Sequence, residues 1–427
     1  MMTPRRTSAL RPIGYPFPHS PLWRRGILPA IDLFAGCGGT SIGLQKSGFD
    51  VRAAVEISRA AAHNYALNVG LKPLVVDIRR VRGKDLLTRA SLRRGECFLL
   101  AACPPCQGFS SQRKPSEGVQ DRRNSLIFRV VHLMREIQPA YLLLENVPGL
   151  AAGVGRTLFN RACADLGRLG YRMRFKVLDA ADFGVPQRRA RLILVAWHHT
   201  MPPVDLPDPT HCKPAALSFL INGPSSPWKT VYDAIGPSSD LAPLTAGEAD
   251  PHDPLHAAPA HNELILRRIM AIPLDGGSRA DLPSDLVLDC HRDRKHNGHR
   301  DVYGRMEWER PSPTLTGGCN KPSKGRFIHP EQHRAVTLRE AALLQTFPIG
   351  ARFEGARQEI ADQIGNAVPP DFVVALARPL KEAAGEWLAC DRSSDRRRQH
   401  LSPSRVRPRL ISPVLTGRST DATIAAR

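Results

Sequence analysis

"DLFAGCGGTSIGL" (residues 32–44) runs from an apolar strand through a glycine-rich turn into a helix start. Gly36, Gly38 and Gly39 permit a tight turn and close approach of a ligand, although a turn that merely packs strand against helix would read the same way. The next apolar run, "VRAAVEIS" (51–58), contains Glu56, 20 residues after Gly36. An acid at that spacing accepts both ribose hydroxyls of a nucleoside. Asp77 closes a third run and is placed to bond an adenine amino group. A full dinucleotide fingerprint would need glycine where Ser41 stands. A pyrophosphate cofactor is therefore disfavoured, and a nucleoside such as S-adenosylmethionine fits.

Outward from this turn the pattern alternates. Further apolar runs are "PLVVDI" (73–78), "CFLLAA" (97–102), "AYLLLENV" (140–147), "YRMRFKVLDA" (171–180) and "RLILVAW" (191–197). Helix-like stretches such as "SRAAAHNYALNVG" (58–70) and "RTLFNRACADLGRLG" (156–170) lie between most of them. Near-continuous apolar strands alternating with helices predict an open α/β domain over 28–199, with a parallel sheet covered on both faces. Residues 200–305 are rich in Pro, Asp and His, show little periodicity and are too long for one loop, so they predict a smaller irregular domain. "TLREAALLQTF" (337–347) and "PDFVVALARPLKEAAGEWLA" (370–389) read as helices again, within a segment 306–390 that returns to the first domain.

The chain has 427 residues, 42% of them hydrophobic, and a net charge of +20. No apolar run approaches the roughly 20 residues of a membrane span. Nine cysteines in this length do not make a disulfide scaffold and fit a reducing, cytoplasmic setting. The excess of positive charge implies an anionic partner, with nucleic acid the obvious one. Residues 1–26 carry +5 and 391–427 carry +6. Residues 1–27 and 391–427 are accordingly expected to be basic, disordered tails.

Ligands in open α/β sheets sit beyond the carboxyl ends of the strands. Cys106, in "CPPCQGFS" (103–110), lies just past one such end, and Glu145, in "LLLENVPG", lies at another. A thiol and a carboxyl converging there make a nucleophile and acid pair. In "VPQRRARLILV", Gln187, Arg189 and Arg191 precede or begin a strand. Alternate arginines share one face, where they can hold a carbonyl or anion and favour a thiolate.

These segments together resemble the cytosine-carbon-5 DNA methyltransferases, of the bacterial modification type. The resemblance rests, in order, on "DLFAGCGG", Glu56, Asp77, "PPCQGFS", "ENV", "QRRAR", "RPSPTLT" (310–316) and "GNAVPP" (365–370). It implies a Rossmann-like, S-adenosylmethionine-dependent methyltransferase sheet with 200–305 as a target-recognition domain. It implies that Cys106 adds to carbon 6 of a flipped-out cytosine, that Glu145 engages ring nitrogen 3, and that Arg191 and Arg189 engage the base carbonyl. Cofactor contacts would fall on Asp32, Phe34, Gly36, Gly38, Gly39, Glu56, Ile57, Asp77, Ile78, Pro105, Asn366 and Ala367. DNA contacts would fall on Gln107, Ser110, Arg310, Thr314 and Thr316, and "SSQRKPSEGVQD" (110–121) would close over the base. The implied partner is double-stranded DNA bound by a monomer, nucleoid-associated, with a restriction endonuclease as a companion in function only. No regulatory domain of a eukaryotic maintenance enzyme is expected.

Each reading has a competitor. Cys103 and Cys106 also have the spacing of a redox or metal pair, but there is no second such pair and prolines fill the gap. Cys97 and Cys103 read as ordinary buried thiols. Cys290, His291, His296 and His299 have metal-like spacing in a basic setting that suits phosphate better, so no metal is expected. "ENV" alone is a strand end, and "QRRAR" alone a solvated basic strand. A tRNA methyltransferase on the same scaffold, a non-catalytic DNA-binding relative and a nicotinamide oxidoreductase remain the alternatives.

Overall fold

A computed structural model describes residues 20–105, 125–153, 155–214, 226–292 and 301–400, apart from the side chains of 392–400. Contacts divide the chain into two units, Met1–Leu388 and Ala389–Arg427. In the second, only 389–400 are described, and they are helical.

A seven-stranded sheet organises the first unit. Its strands are β1 (Pro29–Leu33), β2 (Asp50–Glu56), β3 (Leu74–Val75), β4 (Leu99–Ala102), β5 (Tyr141–Asn146), β6 (Tyr171–Asp179) and β7 (Ala190–His198), in the spatial order β3-β2-β1-β4-β5-β7-β6. β1 and β4 are buried throughout, as strands covered on both faces must be. The helices used below are α1 (Gly39–Lys46), α2 (Arg59–Val69), α3 (Gly83–Arg89), α4 (Leu126–Ile137), α5 (Gly155–Arg168), α6 (Val231–Ile235), α7 (Glu263–Ala271), α8 (Leu338–Leu344), α9 (Arg357–Asn366) and α10 (Pro370–His400).

One face of the sheet packs on α3, α4 and α5. In α4 the residues Leu126, Ile127, Val130, Leu133, Met134 and Ile137 form the buried stripe, the period of an amphipathic helix. The other face is covered by Phe372, Val373, Leu376, Ala377 and Leu380 of α10, so that helix does return to the sheet.

Three expectations need correction. The sheet is not wholly parallel, because β7 runs antiparallel to both β5 and β6. Only ten residues, 180–189, join β6 to β7, too few for a helical crossover but enough for a reversal. The third strand is only Leu74–Val75: Asp77 caps a 3-10 turn, Ile78–Arg80, by accepting from the amide of Arg79, and this turn ends the strand. The N-terminal tail ends earlier than residue 27. Pro21–Arg24 is a short helix whose Trp23 is fully buried, edge-on to Phe98 and Trp387, and donates from Nε1 to the carbonyl of Glu96.

The described part of 200–305 is irregular, with two-residue strands at His211–Cys212 and Ser226–Pro227 and short helices. Val231 and Ile235 of α6 and Leu255 join a core shared with Ala35, Ile42, α8 and α9. A smaller cluster gathers Ile269, Ile272, Leu282, Leu286, Tyr303 and Ile328. Beside it, buried Arg305 donates to the carbonyls of Ile269, Ile272, His329 and Gln332, replacing the water its guanidinium has lost.

Candidate active site

At the end of β1 the chain turns sharply. Phe34 has φ +61°, rare for a bulky residue, and Gly38 has φ +103° as the residue before α1. The Glu56 carboxylate pins this turn from β2. Its Oε2 accepts from the Gly36 amide at 2.8 Å and its Oε1 from the Ser58 amide at 2.7 Å. A carboxylate has about four acceptor positions, so each oxygen keeps capacity for a hydroxyl donor. Ile57, the next residue, is 66% exposed, an apolar surface beside that carboxylate.

Segment 366–370 closes over the turn. A Cβ on Gly39 would lie 2.3 Å from the carbonyl oxygen of Val368, so only glycine permits this approach. Asn366 ends α9 exposed, and Ala367 is half-buried beside it. Asp77 is placed differently from its simplest reading. Its carboxylate accepts from the backbone and guanidinium of Arg79, which help hold it below the usual carboxylate range, and the Ile78 side chain is buried in the core.

Asp32, in the middle of the sheet, is fully buried. Its Oδ2 accepts from Ser41 Oγ at 2.6 Å, and Ser41 Oγ lies 2.7 Å from Tyr65 Oη. Its Oδ1 has no hydrogen-bond partner among the described residues.

The second half of the site forms where β4, β5 and β7 meet. Glu145 pairs opposite Ile193, so Arg191 lies diagonally across the ladder on the same face. Arg191 Nε meets Glu145 Oε1 at 2.9 Å, and both side chains are largely shielded, at 15% and 13% exposure. The antiparallel direction of β7 makes this contact: in a parallel strand, Arg191 would start at the opposite edge of the sheet. Asn146, absent from the sequence-derived candidates, donates from Nδ2 to the Pro104 carbonyl at 2.9 Å and accepts from the Val147 amide. It thus fixes the chain two residues before Cys106.

Pro105 is half-buried and is the last residue described on this side; Cys106, Gln107, Ser110 and the segment 110–121 lie outside the described residues. Cys103 Sγ lies 3.6 Å from Thr40 Oγ1, and burial, with Glu145 nearby, pushes its thiol well above the ordinary value. Cys97 is buried in the core. A small cavity between the sheet and α10 is lined by Thr40, Cys103, Glu145, Val368, Val373 and Leu376.

Arg189 and Arg191 differ in surroundings. Arg189 is buried at 2% exposure and donates through Nη1 to the carbonyls of Leu315 and Gly365, each at 3.1 Å. Burial, with Arg191 beside it, lowers its pKa well below the ordinary value. Gln187 completes the junction, donating to Gln345 Oε1 and accepting from the Leu315 amide. Gln345 in turn donates to the Ile364 carbonyl. The segments "QRRAR", "RPSPTLT", α8 and "GNAVPP" are therefore tied by one buried polar network. Gln345, like Asn146, escaped sequence reasoning because its partners are remote in the chain; a polar residue in the apolar run "ALLQTF" was the available signal.

Among the suggested DNA contacts, Arg310 is exposed and pairs with Glu307 at 2.8 Å. Thr314 donates to the Arg188 carbonyl, and Thr316 is half-buried against Gly365. Of the metal-like group, Cys290 is exposed, His291 is half-buried, and His296 and His299 lie outside the described residues.

A family model for C-5 cytosine-specific DNA methylases matches residues 28–382. The Type II methylase M.HgiDII of Herpetosiphon aurantiacus is 36% identical over 363 residues, spanning 84% of this chain and 95% of that protein. The Type II methyltransferase M1.HphI of Haemophilus parahaemolyticus is 33% identical, over 83% of this chain and 86% of its own. Among solved structures, a prophage-encoded protein described as a DNA modification methyltransferase (E. coli) superposes with a TM-score of 0.62 at 22% identity, covering 85% of this chain and 99% of that one. The S. pombe Dnmt2 methyltransferase superposes at 0.53 with 16% identity, over 84% and 99%. At such identities these two show the fold alone.

Proposed function

Because the chain belongs to the C-5 cytosine-specific DNA methylase family, and is thus a DNA cytosine-5-methyltransferase, we propose that it modifies one specific duplex sequence, through a Cys106 adduct on a flipped cytosine, with S-adenosylmethionine as donor. The observation that carries this reading is the shielded Glu145–Arg191 pair at the carboxyl edge of the sheet, beside the Pro104 that leads into Cys106.

Carbon 5 of cytosine is a poor nucleophile. A Cys106 thiolate adding to carbon 6 converts the ring to an enamine. Glu145 holds or protonates ring nitrogen 3, so charge does not accumulate there. Arg191 orients that carboxylate and reaches the base carbonyl, while Arg189 holds the strand start in place from below. After carbon 5 has gained its methyl group, loss of the carbon 5 proton expels the thiolate. The target carbon is inaccessible in a duplex, so the base must leave the stack.

The donor supplies a methyl group on an electrophilic sulfonium. The residues present fit it: Glu56 keeps free acceptor positions for ribose hydroxyls, Ile57 offers an exposed apolar face for a base, and Gly36 has open space where a side chain would stand. Asn366 and Ala367 border the same turn. Asp77, engaged by Arg79, would reach an adenine amino group with its remaining acceptor capacity. Arg310, Thr314 and Thr316 with the region 200–305 would face the DNA, in a bacterial cytoplasm and as a monomer.

Radiolabelled methyl transfer to duplex DNA and to tRNA, with wild type and Cys106→Ser, tests the proposal. Transfer to DNA that the substitution abolishes is expected. Transfer to tRNA alone, or undiminished turnover of the variant, would overturn it.

A further inference from the structure

Asp32 is a charged residue type in a place where charge is costly. It sits on the central strand β1 between Ala54 of β2 and Ala101 of β4, with no exposure. No cation pairs with it among the described residues; its one partner is the Ser41 hydroxyl, and Oδ1 has none. A buried carboxylate without a counterion normally neutralises itself. Burial accordingly raises Asp32 from the ordinary carboxylate value to about 7, the Ser41 hydrogen bond opposes the rise, and Glu56 adds to it.

The groups facing it come from every neighbouring element. Glu56 ends β2, Tyr65 lies on α2 and Ser41 on α1; Cys103 follows β4, with Glu145 of β5 behind it. Cys37, in the turn, is a thiol that burial pushes up to about 12 and that brings no positive charge. Asp32 thus lies within electrostatic range of Glu56 on one side and Cys103 on the other. The strand order puts β1 and β4 between Glu56 on β2 and Glu145 on β5, so a methyl donor that joins a nucleoside at Glu56 to a cytosine near Glu145 passes the end of β1, next to Asp32. The Ser41–Tyr65 hydroxyl chain suits either protonation state of Asp32, since hydroxyls donate or accept by rotation.

We propose that Asp32 is a specificity-determining residue for the cationic donor: ionised when the sulfonium is bound, and protonated when the neutral thioether product is bound or the site is empty. The inference rests on the cofactor reading above. A positive sulfur supplies the counter-charge that the carboxylate lacks. The thioether does not, so the product is released as Asp32 regains its proton.

Calorimetry of the full chain with S-adenosylmethionine and with S-adenosylhomocysteine, between pH 6 and 8 and in two buffers of different ionisation enthalpy, tests this. The donor-to-product affinity ratio should rise with pH, by at most about tenfold per unit for one linked proton. Donor binding should release a proton near pH 7 that product binding does not. The α-amino group of both ligands also titrates, and comparison with Asp32→Asn isolates the carboxylate: the variant's ratio should lose the Asp32-dependent rise. The same rise in Asp32→Asn, or a flat ratio in wild type, overturns the proposal. Ser41→Ala serves as a second variant; it removes a hydrogen bond that favours the ionised form, so the midpoint should move to higher pH, and an unmoved midpoint is again contrary. A protein that binds neither ligand at any pH would overturn the cofactor reading as well, whereas binding with a pH-independent ratio overturns only the role of Asp32.

Discussion

Cys106 and Glu145 hold the proposed chemistry, and each is separable by substitution. Glu145→Gln keeps size and hydrogen bonding but cannot supply a proton or balance Arg191. Methyl transfer should fall by about 10²–10⁴-fold, the usual contribution of a general acid or base, with DNA binding retained in a gel-shift assay. Activity within a few-fold of wild type would remove Glu145 from the mechanism. Cys103→Ala should keep most activity, because a thiol that burial holds protonated is no nucleophile. Glu56→Ala should weaken donor binding by about 1.5–3 kcal/mol, the range for hydrogen bonds to a charged group; calorimetry with unchanged affinity would refute the ribose assignment. The strand-end positions of Glu56 and Glu145 were legible from the apolar runs, whereas their roles, and that of Cys106 outside the described residues, rest on the ordered set of motifs and not on any one of them. Asn146, Gln345 and the neutral-leaning Asp32 were not legible, since their roles depend on partners that only the folded chain brings near. The different settings of Arg189 and Arg191 were equally hidden, because two residues of spacing says nothing about what covers each.

At the scale of elements, apolar runs marked all seven strands of the main sheet, and helix-like stretches marked α2 and α5. Direction was not marked. Periodicity is the same whichever way a strand runs, and only the short 180–189 connection hinted that β7 turns back. That reversal is what delivers Arg191 to Glu145, so the one misread strand direction is also the one on which the site depends. The turn and its cover can be probed at Gly39. A Cβ there meets a backbone carbonyl at 2.3 Å rather than a flexible side chain. Gly39→Ala should therefore cost about 1–3 kcal/mol, as overpacking does, and weaken donor binding at the same time. A variant with wild-type melting and affinity would mean that 366–370 does not close on the turn. A second element-level test is the buried pair of Arg334 with Glu340, which caps α8. The two bonds are 2.7 and 2.8 Å long, and Arg334 helps hold Glu340 down to about 2. Removing the acid by Glu340→Ala should cost about 3–5 kcal/mol, because a buried charge is left alone.

For the whole molecule, charge and pH behaviour follow from these groups. Glu340 has a folded pKa below its ordinary 4.5, so its stabilisation is present above about 4.5 and fades as pH falls toward 2. Asp32 has a folded pKa raised above 3.8 to about 7, so its contribution is greatest below 3.8 and is lost as pH rises to 7. Ligand-free protein should lose stability on the neutral side, and Asp32→Asn should remove that loss; thermal melts from pH 4 to 8 check it. The ends of the chain act differently from the core. Residues 1–19 and 401–427 together carry +7 of the net +20. Deleting them while keeping Trp23 should flatten the salt dependence of DNA binding by about 0.9 in log–log slope per lost phosphate contact. The target sequence should not change, since base contacts specify it. An altered target would show that an end of the chain reads bases. Deletion through Trp23 should also unfold part of the core, at about 3–5 kcal/mol for a buried aromatic. The proposed methyl group sits at one position on a base, and nucleoside analysis reads that position directly. Duplex DNA treated with the full chain and S-adenosylmethionine is digested to nucleosides for mass spectrometry, and a parallel sample is sequenced after bisulfite treatment. The expected result is 5-methylcytosine at one recurrent sequence and none with Cys106→Ser. Methyl groups on cytosine N4 or adenine N6, or 5-methylcytosine formed equally well by Cys106→Ser, would contradict it.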